Sequence, residues 1–467
     1  MATKEVLPYL SENTRSKETR QAWLQAVLEY LGRSVCLRQS EGCLVIRVDG
    51  RWRVFGRAGV VEFWRAVFEA DRAVQEANWS KARLDEVFQY ILLYGRSISM
   101  DSRRYFEFKS GVLDTVTGEV VRSADRHLKC PTVRSTDLDY LPELAYGATF
   151  RDWLEGQDEA QARVREWSVA SAVCGEYGVL MTFGQSRTGK STVAEALSEV
   201  LGEGALPISL SRQWGRFYTN QFEGTTYLYD PDAKGSRNQN EQNYETLHLL
   251  ASGDAIQMEE KGGRLRTSNN YGFVEVVSNA PIWLRFEQSL VDRVTFCLYT
   301  YIRPRGDGGV TKRRLLADRQ SWLNYAITCA IKYAKGEVRK PDLDNYQLYG
   351  WYQWLRETNS YAKICFDAGR AVSYTEYVSL YKGQARYQLT RETVDTVKQG
   401  VAEIARRSGQ DFWSMDFKAI GGKLEADIYK PRLPLEEVGD IDTKKETIEI
   451  PNHDANDELR RLNSLFK

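Results

Sequence analysis

A chain of 467 residues is long enough for a large buried core and, at about 150 residues per domain, for roughly three domains. Lysine plus arginine equal aspartate plus glutamate at 64 each, which excludes a global positive field, so any nucleic-acid contact has to be local. Seven cysteines with no C-x-x-C pair, no apolar leader in MATKEVLPYLSENTRSK and no long uncharged run argue against a zinc ribbon, a disulfide framework and a membrane span, and point to a cytoplasmic protein.

Residues 1–145 read as a mixed α/β domain. It opens with a helix on which Trp23, Val27, Tyr30 and Leu31 recur at helical spacing. Cys43 to Val48 and Arg51 to Phe55 flank Asp49-Gly50, a pair that tolerates the positive φ of a tight hairpin turn. A second strand-rich stretch, Tyr105 to Val121, is punctuated by Gly111 and Thr117-Gly118 and gives way to a loop-like segment that ends this domain.

Residues 146–340 alternate helical and strand patterns, as expected of an α/β core with a parallel sheet covered by helices on both faces. Residues 341–434 follow Pro341 as a third unit, in which Val394, Val397, Val401 and Ile404 share a helix face. Asp411 to Met415 and Lys423 to Tyr429 suggest a β-hairpin, and helices followed by a hairpin predict a winged-helix-like domain. The tail 435–467, with nine acidic and five basic residues, reads as a mobile end.

The chemistry concentrates in the middle. An apolar strand, Val179 to Phe183, runs into Gly184, Gln185, Ser186, Arg187, Thr188, Gly189, Lys190, Ser191 and Thr192, the G-x-x-x-x-G-K-[ST] phosphate loop in its required context. The glycines let successive amides converge on phosphate oxygens, the following helix presents its positive end, Lys190 adds a point charge and Ser191 offers a hydroxyl to magnesium. The competing reading, a glycine-rich turn that matches by chance, does not account for the strand and helix on either side.

Downstream, a strand ends at Asp230-Pro231-Asp232, where carboxylates could hold magnesium and polarise water. Asp230 is the metal-side choice and Asp232 the choice for water activation, while a plain Asp-Pro turn would look the same. Leu249 to Arg264 passes from a helix end through a strand into a glycine turn flanked by cations, with Lys261, Arg264 and Arg266 as DNA contacts or as a solvated turn. A strand closes at Asn279, which could orient the hydrolytic water or serve as a turn residue. Arg293 precedes the last strand, where its planar guanidinium suits charge on a transferred phosphoryl group, or an ordinary surface ion pair.

Taken in order, GQSRTGKST, YLYDPDA, LLASGDAIQMEEKGGR, EVVSNAP and DRVTF resemble the motifs of superfamily 3 helicases, the AAA+ motors of phages, plasmids and small DNA viruses. FEFKSGVLDTVTGEV resembles the signature that precedes that core in the phage, plasmid and poxvirus primase-helicases, with Ser110 in place of the usual Asn. The resemblance implies an AAA+ core that binds ATP and Mg2+ and translocates on single-stranded or forked DNA as a homo-oligomeric, hexameric ring. Catalytic Lys190, Asp230, Asp232, Asn279 and Arg293 would then divide between neighbouring subunits, with primase or origin-binding proteins as further partners. Pro231 between the two acids and the absence of a hairpin histidine depart from the family pattern. Only about 100 residues precede the signature, without a zinc-binding set or acidic triad, so no primase activity is expected of this chain.

Two rival functions remain at this level. An origin-binding initiator would read duplex DNA with the 341–434 unit, using Lys398, Arg406 and Arg407, and a protein remodeller would grip its substrate with an aromatic such as Tyr271.

Overall fold

The computed structural model describes residues 17–40, 43–48, 51–56, 59–77, 79–101, 103–124, 126–184, 186, 188–210, 218–234, 237–258, 266–282, 285–299, 308–381 and 388–428. The predicted tail 435–467 lies outside them. The chain divides into two compact units at Asp101.

In the first unit the apolar stripe of α1 (Lys17–Ser34) buries Trp23, Val27 and Leu31. The strands β1 (Arg38–Ser40), β2 (Cys43–Val48) and β3 (Arg51–Phe55) pair antiparallel in that order, with Val48 opposite Arg51 as the predicted hairpin requires. Helices α2 (Val60–Ala70), α3 (Arg72–Gln75) and α4 (Lys81–Tyr94) complete this unit. Asp71 and Ser80 cap α3 and α4 by accepting amide hydrogens of the first turn, which satisfies donors that a helix start otherwise leaves open. Trp64 closes the core, its indole N–H donating to the Leu84 carbonyl at 3.2 Å, so the ring is buried without an unmet donor.

The second unit begins earlier than the sequence suggested. β4 (Tyr105–Phe108), β5 (Gly111–Asp114) and β6 (Val120–Val121) form an antiparallel meander whose Phe106, Phe108 and Leu113 join the second core and not the first. The first domain expected over 1–145 is corrected accordingly. Strand alternation reveals which face is buried but not which core receives it. The SGVLD signature has a structural part here: Asp114 accepts the amides of Val116 and Thr117 at 3.0 and 3.3 Å and an Arg104 guanidinium at 2.8 Å, which shapes the turn. After α5 (Arg126–Lys129) come the helices α6 (Ala148–Glu155) and α7 (Glu159–Cys174), which lead into the sheet.

The sheet is parallel throughout. Its strands are β7 (Val179–Gly184), β8 (Ala205–Pro207), β9 (Tyr227–Asp230), β12 (Phe273–Ser278) and β13 (Val294–Tyr299), in the order β13-β7-β12-β9-β8. β12 and β13 are buried along their whole length, as near-continuous apolar strands covered on both faces must be. The covering helices include α8 (Lys190–Leu201), α9 (Arg237–Ser252), α10 (Gly308–Ala317) and α11 (Arg319–Ala334). β10 (Ile256–Met258) and β11 (Arg266–Ser268) pair antiparallel apart from the main sheet, as the stem of the predicted basic hairpin. This is the α/β phosphate-loop core that the motif order implied.

The C-terminal residues differ from expectation twice. α12 (Asn345–Thr358), α13 (Ser360–Ala368), α14 (Tyr374–Leu380), α15 (Arg391–Ser408) and α16 (Phe417–Ile428) are helical, and where a hairpin was expected over 411–415 and 423–429, a turn leads into α16. No strand follows Tyr299 among the described residues, so no wing is built there. The Asp411 to Met415 run instead supplies Phe412 to a helical aromatic cluster with Phe366, Phe417 and Tyr352. Nor do these helices form a separate core: Trp351 of α12 packs on Phe296 of β13 with ring centroids 5.0 Å apart, and Gln347 hydrogen-bonds both backbone groups of Phe296. No described helix is long and apolar enough to cross a membrane, and all seven cysteines are free.

Candidate nucleotide-binding site

The parallel register sorts the motif residues. Tyr299 pairs with Gly184 and Ser278 with Phe183, so the phosphate loop, the end of β12 and the end of β9 all sit at the carboxyl edge of the sheet. Gly184 is fixed by this packing, because a Cβ there would lie 2.0 Å from the Tyr299 carbonyl oxygen. Gly189 takes a left-handed φ of 87° and starts α8 with no side-chain cap, leaving first-turn amides for an anion. Thr188, Lys190 and Thr192 are buried there and Ser191 is half-buried, while Ser186 is exposed. Gln185 and Arg187 lie outside the described residues.

Lys190, Asn279, Asp230 and Asp232 lie at this edge. Lys190 Nζ donates to Asn279 Oδ1 at 2.7 Å, across from the strand that separates the phosphate loop from the acidic turn. Burial pushes the Lys190 ammonium below its ordinary range, opposed by the Asp232 carboxylate, so an incoming polyanion would stabilise the cation. Asp230 is buried and accepts the amides of Leu210 at 2.8 Å and Asp232 at 3.3 Å. Burial still holds its carboxyl above the usual carboxylate range. Asp232 is exposed and paired with Lys234 at 2.8 Å. The two acids are therefore unlike: one is fixed and desolvated, the other is wet and already engaged.

Arg293 is at the opposite edge. It precedes Val294, which pairs with Val179, and its carbonyl accepts the Val179 amide at 2.9 Å. At about 3.3 Å per residue, the length of β13 separates it by roughly 20 Å from the loop at the other end of β7. Its Nη1 lies 3.1 Å from His248 Nε2 on α9. The neighbouring Asp292 is ion-paired with Arg407 of α15, and Glu403 of that helix takes Arg406 and Arg407 at 2.6 Å each. Arg406 and Arg407 are thus ion-paired within the chain, and Lys398 lies 3.9 Å from Asp395.

The hairpin stem places Met258 opposite Arg266 and is tied down by a bond from Thr219 Oγ1 to the Gln257 carbonyl at 2.8 Å. Lys261 and Arg264 lie outside the described residues, and of Arg266 only the strand position is described. Tyr271 is fully buried and its hydroxyl donates to the Leu249 carbonyl at 3.1 Å, so it is a core residue and not a substrate-gripping aromatic.

A family described as "Family of unknown function (DUF5906)" matches residues 182–292, the stretch from β7 to the residue before Arg293. No curated protein matches the chain. Among solved structures, the apo A form of the NrS-1 C-terminal region is similar at 10% identity and a TM-score of 0.44, covering 83% of this chain and 90% of that one. A second structure of that region gives 11% identity and a TM-score of 0.43, over 88% of this chain and 96% of that one. A structure of JCV helicase with a small organic molecule bound gives 15% identity and a TM-score of 0.29, over 40% of this chain and 53% of that one.

One constellation escaped sequence reasoning. Arg165 of α7 is fully buried and donates to Glu275 at 2.7 Å, Tyr299 at 3.0 Å and Thr182 at 3.2 Å, while Tyr227 donates to the other Glu275 oxygen at 2.7 Å. Four neighbouring strands are thereby locked to one helix beneath the phosphate loop. A charged residue in the centre of FVEVVS and a threonine in VLMTF were the available signal, since a buried charge in an apolar strand requires a partner.

Proposed function

We propose that this chain is an ATP-hydrolysing motor that works as a ring of identical subunits, hexameric by the family resemblance, and moves along single-stranded DNA. The observation that carries the reading is the division of the motif residues between two edges of one sheet: Lys190, Asp230 and Asn279 at one, Arg293 roughly 20 Å away at the other. Arg293 cannot reach a triphosphate held by its own loop. A second copy, with its arginine edge against the first copy's loop, completes the site.

In that arrangement the backbone from Gly184 to Thr192 cradles the phosphates, and Lys190, already directed by Asn279, meets the β and γ oxygens. The residues fit a magnesium ion: Ser191 presents a half-buried hydroxyl in the first turn of an uncapped helix, and Asp230 is a desolvated carboxylate at the same edge. Such an ion, when bound, neutralises charge on the bridging phosphoryl oxygens. Asp232, nearer to solvent, is the group suited to activating water, and the neighbour's Arg293 stabilises the charge that develops on the transferred phosphoryl. The β10–β11 hairpin carries the strand contact, with Lys261, Arg264 and Arg266 on DNA phosphates in a sequence-independent grip.

The experiment is ATP hydrolysis by the purified full chain with and without single-stranded DNA, joined to electron microscopy with a non-hydrolysable analogue and forked DNA. DNA-stimulated turnover by a ring is the expected result. A folded protein that stays monomeric and inert toward ATP with DNA present overturns the reading.

A further inference from the structure

Arg293 has a partner whose chemistry is restrictive. A guanidinium can only donate hydrogen bonds, so the contact of its Nη1 with His248 Nε2 at 3.1 Å requires a lone pair on Nε2. The imidazole is then neutral, with its proton on Nδ1. Ser289 Oγ lies 2.8 Å from the same Nε2. His248 belongs to α9, the helix that starts just past the Asp230–Asp232 turn and ends just before β10 of the hairpin stem. The arginine edge is therefore bonded to the one helix that joins the acidic turn to the DNA hairpin.

We propose that His248 is the positioning residue for Arg293: as a neutral acceptor it aims the guanidinium at the neighbouring subunit's triphosphate, and it couples that aim to the movement of α9. The inference rests on the reading of Arg293 as an arginine acting in trans. The charged groups facing the imidazole are Arg293 and Glu287 from the segment before β13 and Asp254 from the turn after α9, with Arg285 engaged on Glu287 at 3.3 Å. Burial, followed by the Arg293 cation, pushes the imidazole below its usual range, against the pull of the two acids. The sign follows: His248 is the required neutral acceptor at pH 7. As pH falls below about 6.5 and through the lowered pKa, protonation turns Nε2 into a donor beside a cation, and the contact is lost.

The test is steady-state ATPase kinetics of the full chain carrying His248→Ala, His248→Gln, Arg293→Ala and the double change to alanine. Gln keeps an acceptor and does not titrate. The alanine variant should lose roughly tenfold in kcat with KM within about twofold, the glutamine variant should recover most of that loss, and His248→Ala should cost nothing further once Arg293 is absent. The kcat ratio of the glutamine variant to the unmodified protein should be level above pH 7 and rise toward acid, because other ionisations cancel in the ratio. Additive losses, equal loss in both histidine variants, or a ratio flat with pH overturns the proposal. If Arg293→Ala itself retains full kcat, the trans-arginine reading fails first, so the two failures are distinguishable.

Discussion

The two edges of the central sheet are built by different means. The phosphate edge is local: strand, loop and helix are continuous in sequence, and the loop's shape follows from Gly184 meeting the Tyr299 carbonyl and from the left-handed Gly189. The arginine edge is assembled from afar. The segment from Ile282 to Arg293 is gripped by Trp354 of α12, whose indole donates to the Ile282 carbonyl at 2.8 Å, by Gly400 of α15, where a Cβ would sit 2.5 Å from the Phe286 ring, and by His248 of α9. A cradle for an anion needs backbone geometry, which short motifs encode, whereas a guanidinium fixed at a strand's start needs a rigid support, which only packing supplies.

The contrast can be broken most directly at Lys190. Lys190→Ala should abolish measurable ATP turnover and weaken nucleotide binding, whereas Arg293→Ala should lower kcat by about a thousandfold with nucleotide affinity within about twofold. Mixing the two inactive variants sharpens the comparison, because rings that pair an intact loop with an intact arginine should recover activity. Equal, unrescued loss in every mixture would show that the edges do not serve a shared site.

Between the edges, Arg165→Ala leaves Glu275 buried without its cation and should destabilise the protein by roughly 3–5 kcal/mol, read from the denaturant midpoint. An unchanged midpoint would mean that the network is not what holds the strands in register. The smallest effect concerns the brace on the arginine edge. Glu403→Ala removes the carboxylate that holds Arg407 of α15 beside Asp292 and should lower kcat by about threefold without altering KM, as a slight loss of aim would. A change in KM with kcat intact would assign α15 to the nucleotide pocket instead.

How far the sequence could be read differs by feature. The hairpin at β2–β3 and the phosphate-loop strand and helix were legible because turn chemistry and periodicity are properties of neighbouring residues. The contact of Lys190 with Asn279 was legible only in outline: both were marked as site residues, but their meeting depends on β12 lying between β7 and β9. Asp230 and Asp232 were given different roles from sequence, but their unlike settings are not in Asp-Pro-Asp: the burial of Asp230 depends on the distant chain at Leu210, while Asp232 stays exposed beside Lys234. The expected winged helix is not built because Phe412 and Trp413 serve a helical aromatic cluster as readily as a strand. The pair of Arg407 with Asp292 was not legible, because its partners are more than a hundred residues apart.

By itself the sequence determined the order in which the candidate phosphate-binding and proton-carrying side chains occur and the strand, loop and helix that carry the first of them, since these follow from side-chain type and short-range geometry. The tertiary structure alone decided that Lys190, Asp230 and Asn279 share one edge while Arg293 stands at the other, with His248 beside it. The reason is physical: in a parallel sheet the register of hydrogen bonds sets which strand ends are neighbours, and that register is stabilised by burial and by contacts such as Arg165 with Glu275 that no local pattern encodes.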